Sequence, residues 1–227
     1  MDNPGFFDCS SFFEDENVRA GITKRHFPYI SPDDRPELAR LLGLPTERVV
    51  IPRQTHTNRV EIVRIPGRLP SVDGIVTNRE RLVLSIQVAD CVPVFIHDST
   101  NRIIGLIHAG WRGVVDGIIR NSVRSMEELG GDPADWRIVL GPSIQKCCFQ
   151  IGREIVDRFE AQFVRRKEGE IFVDLQQLII RQFVVAGVRE TGIISTGQCT
   201  KCLAQDYHSY RRDGKQAGRM VAVLGLL

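Results

Sequence analysis

The apolar positions change rhythm along the chain. Between Val49 and Ile107 they fall in short, β-branched runs, VVIPRQT, RVEIVRI, VDGIVT, LVLSIQVAD, VPVFIHD and IIGLIHAG, separated by Pro, Gly, Asp and Asn. Runs of this length and make-up predict strands of a mixed or antiparallel sheet. After Gly113 the spacing becomes helical. Val114, Val115, Ile118, Ile119 and Met126 predict one amphipathic helix over VVDGIIRNSVRSMEEL, stopped by Gly130 and Gly131. REIVDRFEAQFV and LQQLIIRQFVVAGV predict two more. WRIVLGPSI reads as a strand and turn, GIISTGQCTKCL as strand or loop, and GRMVAVLGLL as a last buried strand. Ahead of all this, four Phe among polar residues in the first 17 suit an irregular or edge segment. A turn at SPDD then leads into a short helix, capped by Asp33 or Asp34 and ended by Gly43 and Pro45.

No linker, repeat or low-complexity segment interrupts this order. It predicts a single α+β domain over residues 1–227, a length that can bury one sizeable core. A formal net charge of +2 gives no electrostatic reason for a nucleic-acid or membrane partner. No apolar run approaches the ~20 residues of a membrane span. The acidic start, MDNPGFFDCSSFFEDEN, lacks the basic and apolar regions of a signal peptide, so the expected location is the cytoplasm. In that compartment the six cysteines, Cys9, Cys91, Cys147, Cys148, Cys199 and Cys202, are expected as free thiols, with metal or catalytic roles as exceptions.

Three residues stand at or beside predicted strand ends: His56 in QTHTNRV, Cys91 in VADCVPVFIHD and His108 in IGLIHAGWRG. Strand ends on one sheet edge can converge in space. Two imidazoles and a thiolate would make a tetrahedral zinc site with one open position, the ligand count of a catalytic site. The spacing matches no short ligand pattern. A core thiol at Cys91 and two histidines satisfied by backbone carbonyls therefore remain the alternative. The CxxC of Cys199 and Cys202 with the adjacent pair Cys147–Cys148 could make a four-Cys zinc site, but adjacent cysteines rarely ligate one ion together, so the four read as buried free thiols. His97 reads as a surface or turn residue. Arg112, bracketed by Gly110 and Gly113 where a strand turns into a helix, is a candidate for binding an anion. Arg211 or Arg212 is a further one.

QTH, DGIVT, ADCVPVFIHD, IGLIHAGWRG, GPSI followed by CCFQIG, FVDL, and the tail SYRRDG with GRM resemble the YfiH family. Its members are also called multicopper polyphenol oxidoreductases (laccase-like), peptidoglycan editing factors and zinc-dependent purine nucleoside phosphorylases. The matching blocks run from about residue 49 to the C-terminus. The resemblance implies α/β/β/α layers related to the deamidase domain of cytotoxic necrotising factor toxins. It implies that His56, Cys91 and His108 are zinc ligands. It also implies phosphorolysis of adenosine, guanosine, inosine and methylthioadenosine, with adenosine deamination as a second reaction. The partners implied are purine nucleosides and phosphate, with no protein partner. On that reading Arg53 and Arg112 are candidates for phosphate, Gln54 and Asp73 for hydrogen bonds to base or ribose, and Asp90 for orienting a metal ligand. Copper ranks below zinc, because three ligands and no HxH pairs cannot build a multicopper cluster. The rival readings are a laccase-like oxidoreductase, a metal-free Cys91–His108 hydrolase, and an editing factor for cell-wall precursors.

Overall fold

The computed structural model describes residues 5–27 and 35–227. The SPDD turn and the caps at Asp33 or Asp34 lie outside the described residues. The chain forms β1 (Phe6–Asp8), β2 (Val18–Thr23), α1 (Arg35–Leu41), β3 (Val49–Pro52), β4 (Val60–Ile62), β5 (Gly67–Leu69) and β6 (Gly74–Thr77). Then follow β7 (Val83–Val88), β8 (Val92–Asp98), β9 (Ile103–Ala109), α2 (Trp111–Val115), α3 (Ile118–Glu128) and β10 (Trp136–Leu140). The last third holds β11 (Gln150–Ile151), β12 (Val164–Lys167), β13 (Glu170–Val173), α4 (Leu175–Val185), β14 (Ile193–Ser195), α5 (Tyr210–Asp213) and β15 (Met220–Leu226).

Two six-stranded sheets, ordered β1-β2-β15-β7-β3-β5 and β14-β10-β8-β9-β6-β4, are joined by a small third sheet, β11-β13-β12. The central strands are apolar on both faces, and the period of two sorts their side chains between different layers. In β9, Ile104 and Leu106 enter the core between the large sheets, where they meet Leu84, Ile86 and Leu224. Ile103 and Ile107 point the other way, into the core under α3 and α4 with Ile119, Met126, Leu178 and Phe183. Val83, Val221 and Val223 turn outward from the first sheet and are covered by Leu38 and Ala39 of α1. The layers are therefore helix, sheet, sheet, helices. No described helix is long and apolar enough to cross a membrane.

Three expectations are corrected. The helix expected from Val114 onward is two helices, α2 and α3, because Gly117 takes a left-handed φ of 95° between them. REIVDRFEAQFV is not an α-helix. It forms two 3-10 turns, Arg153–Arg158 and Ala161–Phe163, which break at Phe159 so that Phe159 and Phe163 both reach the core. His97 is neither a surface nor a turn residue. It is buried in β8, with Nε2 3.5 Å from Asp15 and its ring edge-on to Phe13.

Strand register positions the chemistry. In the β8–β9 pair Val92 opposes Ala109 and Pro93 opposes His108, so Cys91 arrives beside the end of β9. In the β6–β9 pair Gly74 opposes Ile107, which draws Asp73 alongside His108. The backbone N–H of His108 donates to the Asp73 carbonyl at 2.7 Å.

Candidate active site

His56, Cys91 and His108 converge, with their ligand atoms all within 4.8 Å of one another. The two imidazole rings meet edge-on at 4.9 Å. His56 has a left-handed φ of 60°, which turns its side chain out of the loop after β3; Asp90 does the same at 82°, directly before Cys91. His and Asp are among the few non-glycine residues that adopt this region with any frequency.

Asp73 organises the centre from beneath. Its carboxylate takes up His108 Nδ1 at 2.8 Å and accepts from the backbone N–H groups of Thr55, His56 and Thr57 and from the Thr57 hydroxyl. One carboxylate thus fixes the loop that carries one imidazole and the ring of the other. With Nδ1 engaged, His108 is left to use Nε2 toward Cys91, the usual arrangement of a metal-binding histidine backed by a carboxylate.

Burial disfavours charge here, yet the groups stabilise one another. Burial raises the Cys91 thiol, but His108 and His56 outweigh it and bring its pKa down to about 6. Burial lowers the His108 imidazole, but Cys91 and Asp73 outweigh it and bring its pKa up to about 9. Burial likewise opposes the charge on Asp73, and the hydrogen bonds from His108 and Thr57 overcome it, holding the pKa at about 2. A site that favours a thiolate beside two imidazoles suits a divalent cation of borderline softness, and the donor set fits one zinc ion.

The HAGWRG turn fits closely around this centre. A Cβ on Gly110 would sit 3.1 Å from Cys91 Sγ and 3.2 Å from His56 Cδ2, and one on Gly113 would meet the Thr57 carbonyl oxygen at 2.7 Å. Only glycine lets the turn lie against the loop bearing His56.

The three residues open into a cleft of about 750 Å³. Arg35, Arg53, Arg112, Arg211 and Arg219 line it, together with the aromatic rings of Trp111, Phe149 and Tyr210. Among the described residues that line it, Asp90 is the one acidic group, and its carboxylate is already engaged by Thr200 Oγ1, Ser209 Oγ and the Arg211 N–H. The cleft is therefore cationic and aromatic.

Among the residues singled out from sequence, Arg53 and Arg112 line this cleft. The Arg112 guanidinium lies 4.5 Å from the Trp111 ring centroid. Gln54 also lines it, but its amide is held by the backbone of Gln87 in both directions, at 2.7 Å each. Asp73, expected against base or ribose, is fully buried and reaches the site only through His108 and the His56 loop. Asp90, expected to orient a ligand, instead anchors the C-terminal segment. Arg211 faces the cleft and donates to the Gln150 carbonyl. Arg212 is consumed by the carbonyls of Thr200, Lys201 and Tyr207 and by Asp213. Arg35, Arg219 and Tyr210 were not singled out. SYRRDG and GRM carried a signal for two of them, and nothing local marked Arg35.

The cysteine expectation is corrected as well. Cys147, Cys148, Cys199 and Cys202 are not separate buried thiols but one group with sulfurs within 4.8 Å, and Cys147 and Cys202 are exposed. The loop after β10 and the segment after β14 run side by side, bridged at Ser143 and Cys199, and this brings the two pairs together.

The fold and site define a layered mixed α/β protein with a His-Cys-His centre at the head of a cationic cleft. The chain belongs to the family described as multi-copper polyphenol oxidoreductase laccase, which matches residues 32–227. A relative of unknown prokaryotic origin, adenosine deaminase RL5, is 32% identical over 205 residues, covering 82% of this chain and 78% of its own. The purine nucleoside phosphorylase YlmD of Bacillus subtilis (strain 168) is 30% identical, covering 85% and 76%. The crystal structure of YlmD from Geobacillus stearothermophilus superposes with a TM-score of 0.90 at 27% identity, covering 100% of this chain and 97% of that one.

Proposed function

We propose that this chain, acting as one domain over residues 1–227, is a purine nucleoside phosphorylase with adenosine deamination as a second reaction. The observation that carries this reading is the joining of His56, Cys91 and His108 to a cleft lined by five arginines and three aromatic rings. The names of the relatives at about 30% identity point the same way.

The cleft offers groups for both substrates. Guanidinium groups recognise phosphate through paired, charge-assisted hydrogen bonds. The partly buried Trp111 ring in the cleft wall offers an apolar surface to a purine. In phosphorolysis a phosphate oxygen bonds to the ribose C1′ while the bond from C1′ to the base breaks, and the base leaves with the electron pair. Arg53 and Arg112 hold the phosphate. Gln54, clamped to Gln87, keeps the wall of the cleft rigid. Asp73 keeps His108 in one tautomer and orientation, and so acts as a positioning residue. His56, Cys91 and His108 would hold zinc, which when bound supplies a Lewis acid at the reacting end of the cleft. Three ligands serve one ion, so this centre does not suit multicopper oxidation even though the family description names it.

The test is turnover of adenosine by zinc-loaded enzyme with and without phosphate. Adenine and ribose 1-phosphate should form only when phosphate is present, with some inosine in either case. Free ribose formed independently of phosphate would overturn the reading. A second reading has its own support: the lowered Cys91 and raised His108 pKa values describe a thiolate–imidazolium pair able to act as nucleophile and acid without metal. Activity that survives exhaustive chelation would favour it.

A further inference from the structure

Outside the His56, Cys91 and His108 centre, two turns hold four cysteines against each other. Cys148 Sγ lies 3.4 Å and Cys147 Sγ 3.8 Å from Cys202 Sγ, and all four sulfurs, including Cys199, fall within 4.8 Å of one another. A disulfide needs sulfurs about 2.05 Å apart, so these distances describe four thiols around a shared point. Tetrahedral zinc with Zn–S bonds of about 2.3 Å would set its sulfurs about 3.8 Å apart. An iron–sulfur cluster distributes its thiolates over more than one iron and needs a wider cage.

Backbone hydrogen bonds frame this arrangement. The Cys148 N–H donates to Gln145 O at 2.8 Å, and the Leu203 N–H donates to Cys199 O at 2.9 Å, so each pair sits on its own turn. Ser143 and Cys199 bridge the two turns, and the Ser143 N–H donates to Gln198 O while the Thr200 N–H donates to Ser143 O. Cys199 and Cys202 have the C-x2-C spacing common in closed zinc sites. Cys147 and Cys148, being adjacent, are the unusual half.

We propose that Cys147, Cys148, Cys199 and Cys202 form a second, closed zinc site that ties the loop lining the substrate cleft to the turn that holds Asp90. Binding is not a redox step: the four thiol protons pass to solvent as four thiolates bind one divalent ion. The first loop carries Ile144 and Phe149 into the cleft wall. The second carries Thr200, whose hydroxyl donates to Asp90 at 2.6 Å, the residue before Cys91. With no open position, this ion is structural; it fixes the cleft wall and takes no part in the reaction.

The proposal is separable from the one for His56, Cys91 and His108. Zinc-edge X-ray absorption on the unmodified enzyme needs no variant: two zinc ions per chain and an average sulfur shell above one sulfur per zinc are expected. A shell of one sulfur or fewer overturns the proposal, since Cys91 alone supplies that. Cys91→Ala protein should keep one zinc in an all-sulfur shell at about 2.3 Å. If its remaining zinc shows nitrogen and oxygen, or none remains, the second site does not exist. The double variant Cys199→Ser, Cys202→Ser should fall from two zinc ions to one while the cleft ion stays, and unchanged zinc content overturns the proposal. A Cys91→Ala protein that keeps both ions would instead count against the cleft site and leave this one standing.

Discussion

Asp73 Oδ1 lies 2.8 Å from His108 Nδ1, and both side chains are almost wholly buried. The same carboxylate receives three backbone N–H groups of the loop bearing His56. Replacing Asp73 by Asn keeps the volume but removes the charge and turns an amide NH2 toward donors. Loss of such a partner behind a metal-binding histidine typically costs 10–100-fold in metal affinity, and about 1–3 kcal/mol of stability follows from the unmet hydrogen bonds. Competition with a chromogenic chelator measures the first, and an unchanged zinc affinity would retire this role. The pH dependence has a defined sign. The folded pKa of about 2 is below the unfolded value of ~3.9. The stability contributed by Asp73 is therefore complete above that unfolded value and is lost as pH falls through about 2. Acid unfolding of Asp73→Asn should lack this part of the transition.

Gly113→Ala should destabilise the protein although it is a helix-favouring change on an α2 residue. The added Cβ would stand 2.7 Å from the Thr57 carbonyl oxygen, a backbone atom fixed by the Asp73 network. Overpacking of this kind costs about 1–3 kcal/mol, which for a chain of this length lowers Tm by several degrees. Because Thr57 follows His56, zinc affinity should fall with it. A variant that melts at the wild-type temperature would mean that α2 can move off the loop.

These two positions mark where the sequence was readable. The apolar runs from Val49 to Ile107 carry their strands openly, because strands buried on both faces need unbroken β-branched stretches. His56, Cys91 and His108 were visible as polar residues ending such stretches. Their convergence was an expectation that spacing alone could not decide and that the family resemblance favoured, since it depends on register: Pro93 facing His108 and Gly74 facing Ile107 are tertiary facts. For the same reason Asp73 looked like a substrate contact, and Asp90, one residue from Cys91, looked like the supporting carboxylate. A shared site for the four cysteines ranked below separate buried thiols because adjacent Cys147 and Cys148 say nothing locally about a turn 50 residues on. REIVDRFEAQFV failed differently: its spacing is compatible with a helix, but burying both Phe159 and Phe163 is met by two short 3-10 turns.

In zinc-free enzyme Cys91 should react as an unusually acidic thiol. Alkylation by iodoacetamide, read on the Cys91 peptide by mass spectrometry, should have a pH midpoint near about 6, because His108 and His56 outweigh burial. An ordinary thiol would give ~8.5. The rate should collapse on adding one zinc per chain. Replacing His108 by Ala should move the midpoint upward, and a midpoint already at the ordinary value in the wild type would remove the thiolate–imidazolium description.

Arg112 supplies the sharpest test of substrate binding, because its position suits two roles. Its exposed guanidinium lies 4.5 Å from the Trp111 ring centroid at the cleft wall. It can bind phosphate, or it can hold Trp111 flat for the purine. A guanidinium–phosphate hydrogen-bonded pair is worth about 1.5–3 kcal/mol, so Arg112→Ala should raise the KM for phosphate on the order of 10- to 100-fold. The KM for adenosine should change much less. Arg112→Lys keeps the charge but loses the paired donors, and should fall between the two. If both constants rise together in a variant whose thermal melt is normal, Arg112 acts by positioning Trp111. Arg53→Ala should then show the selective phosphate defect, since Arg53 lines the same cleft from the end of β3. If neither variant affects phosphate selectively, the anion lies with Arg211 and Arg219 at the C-terminal side, and the assignment of Arg53 and Arg112 is wrong.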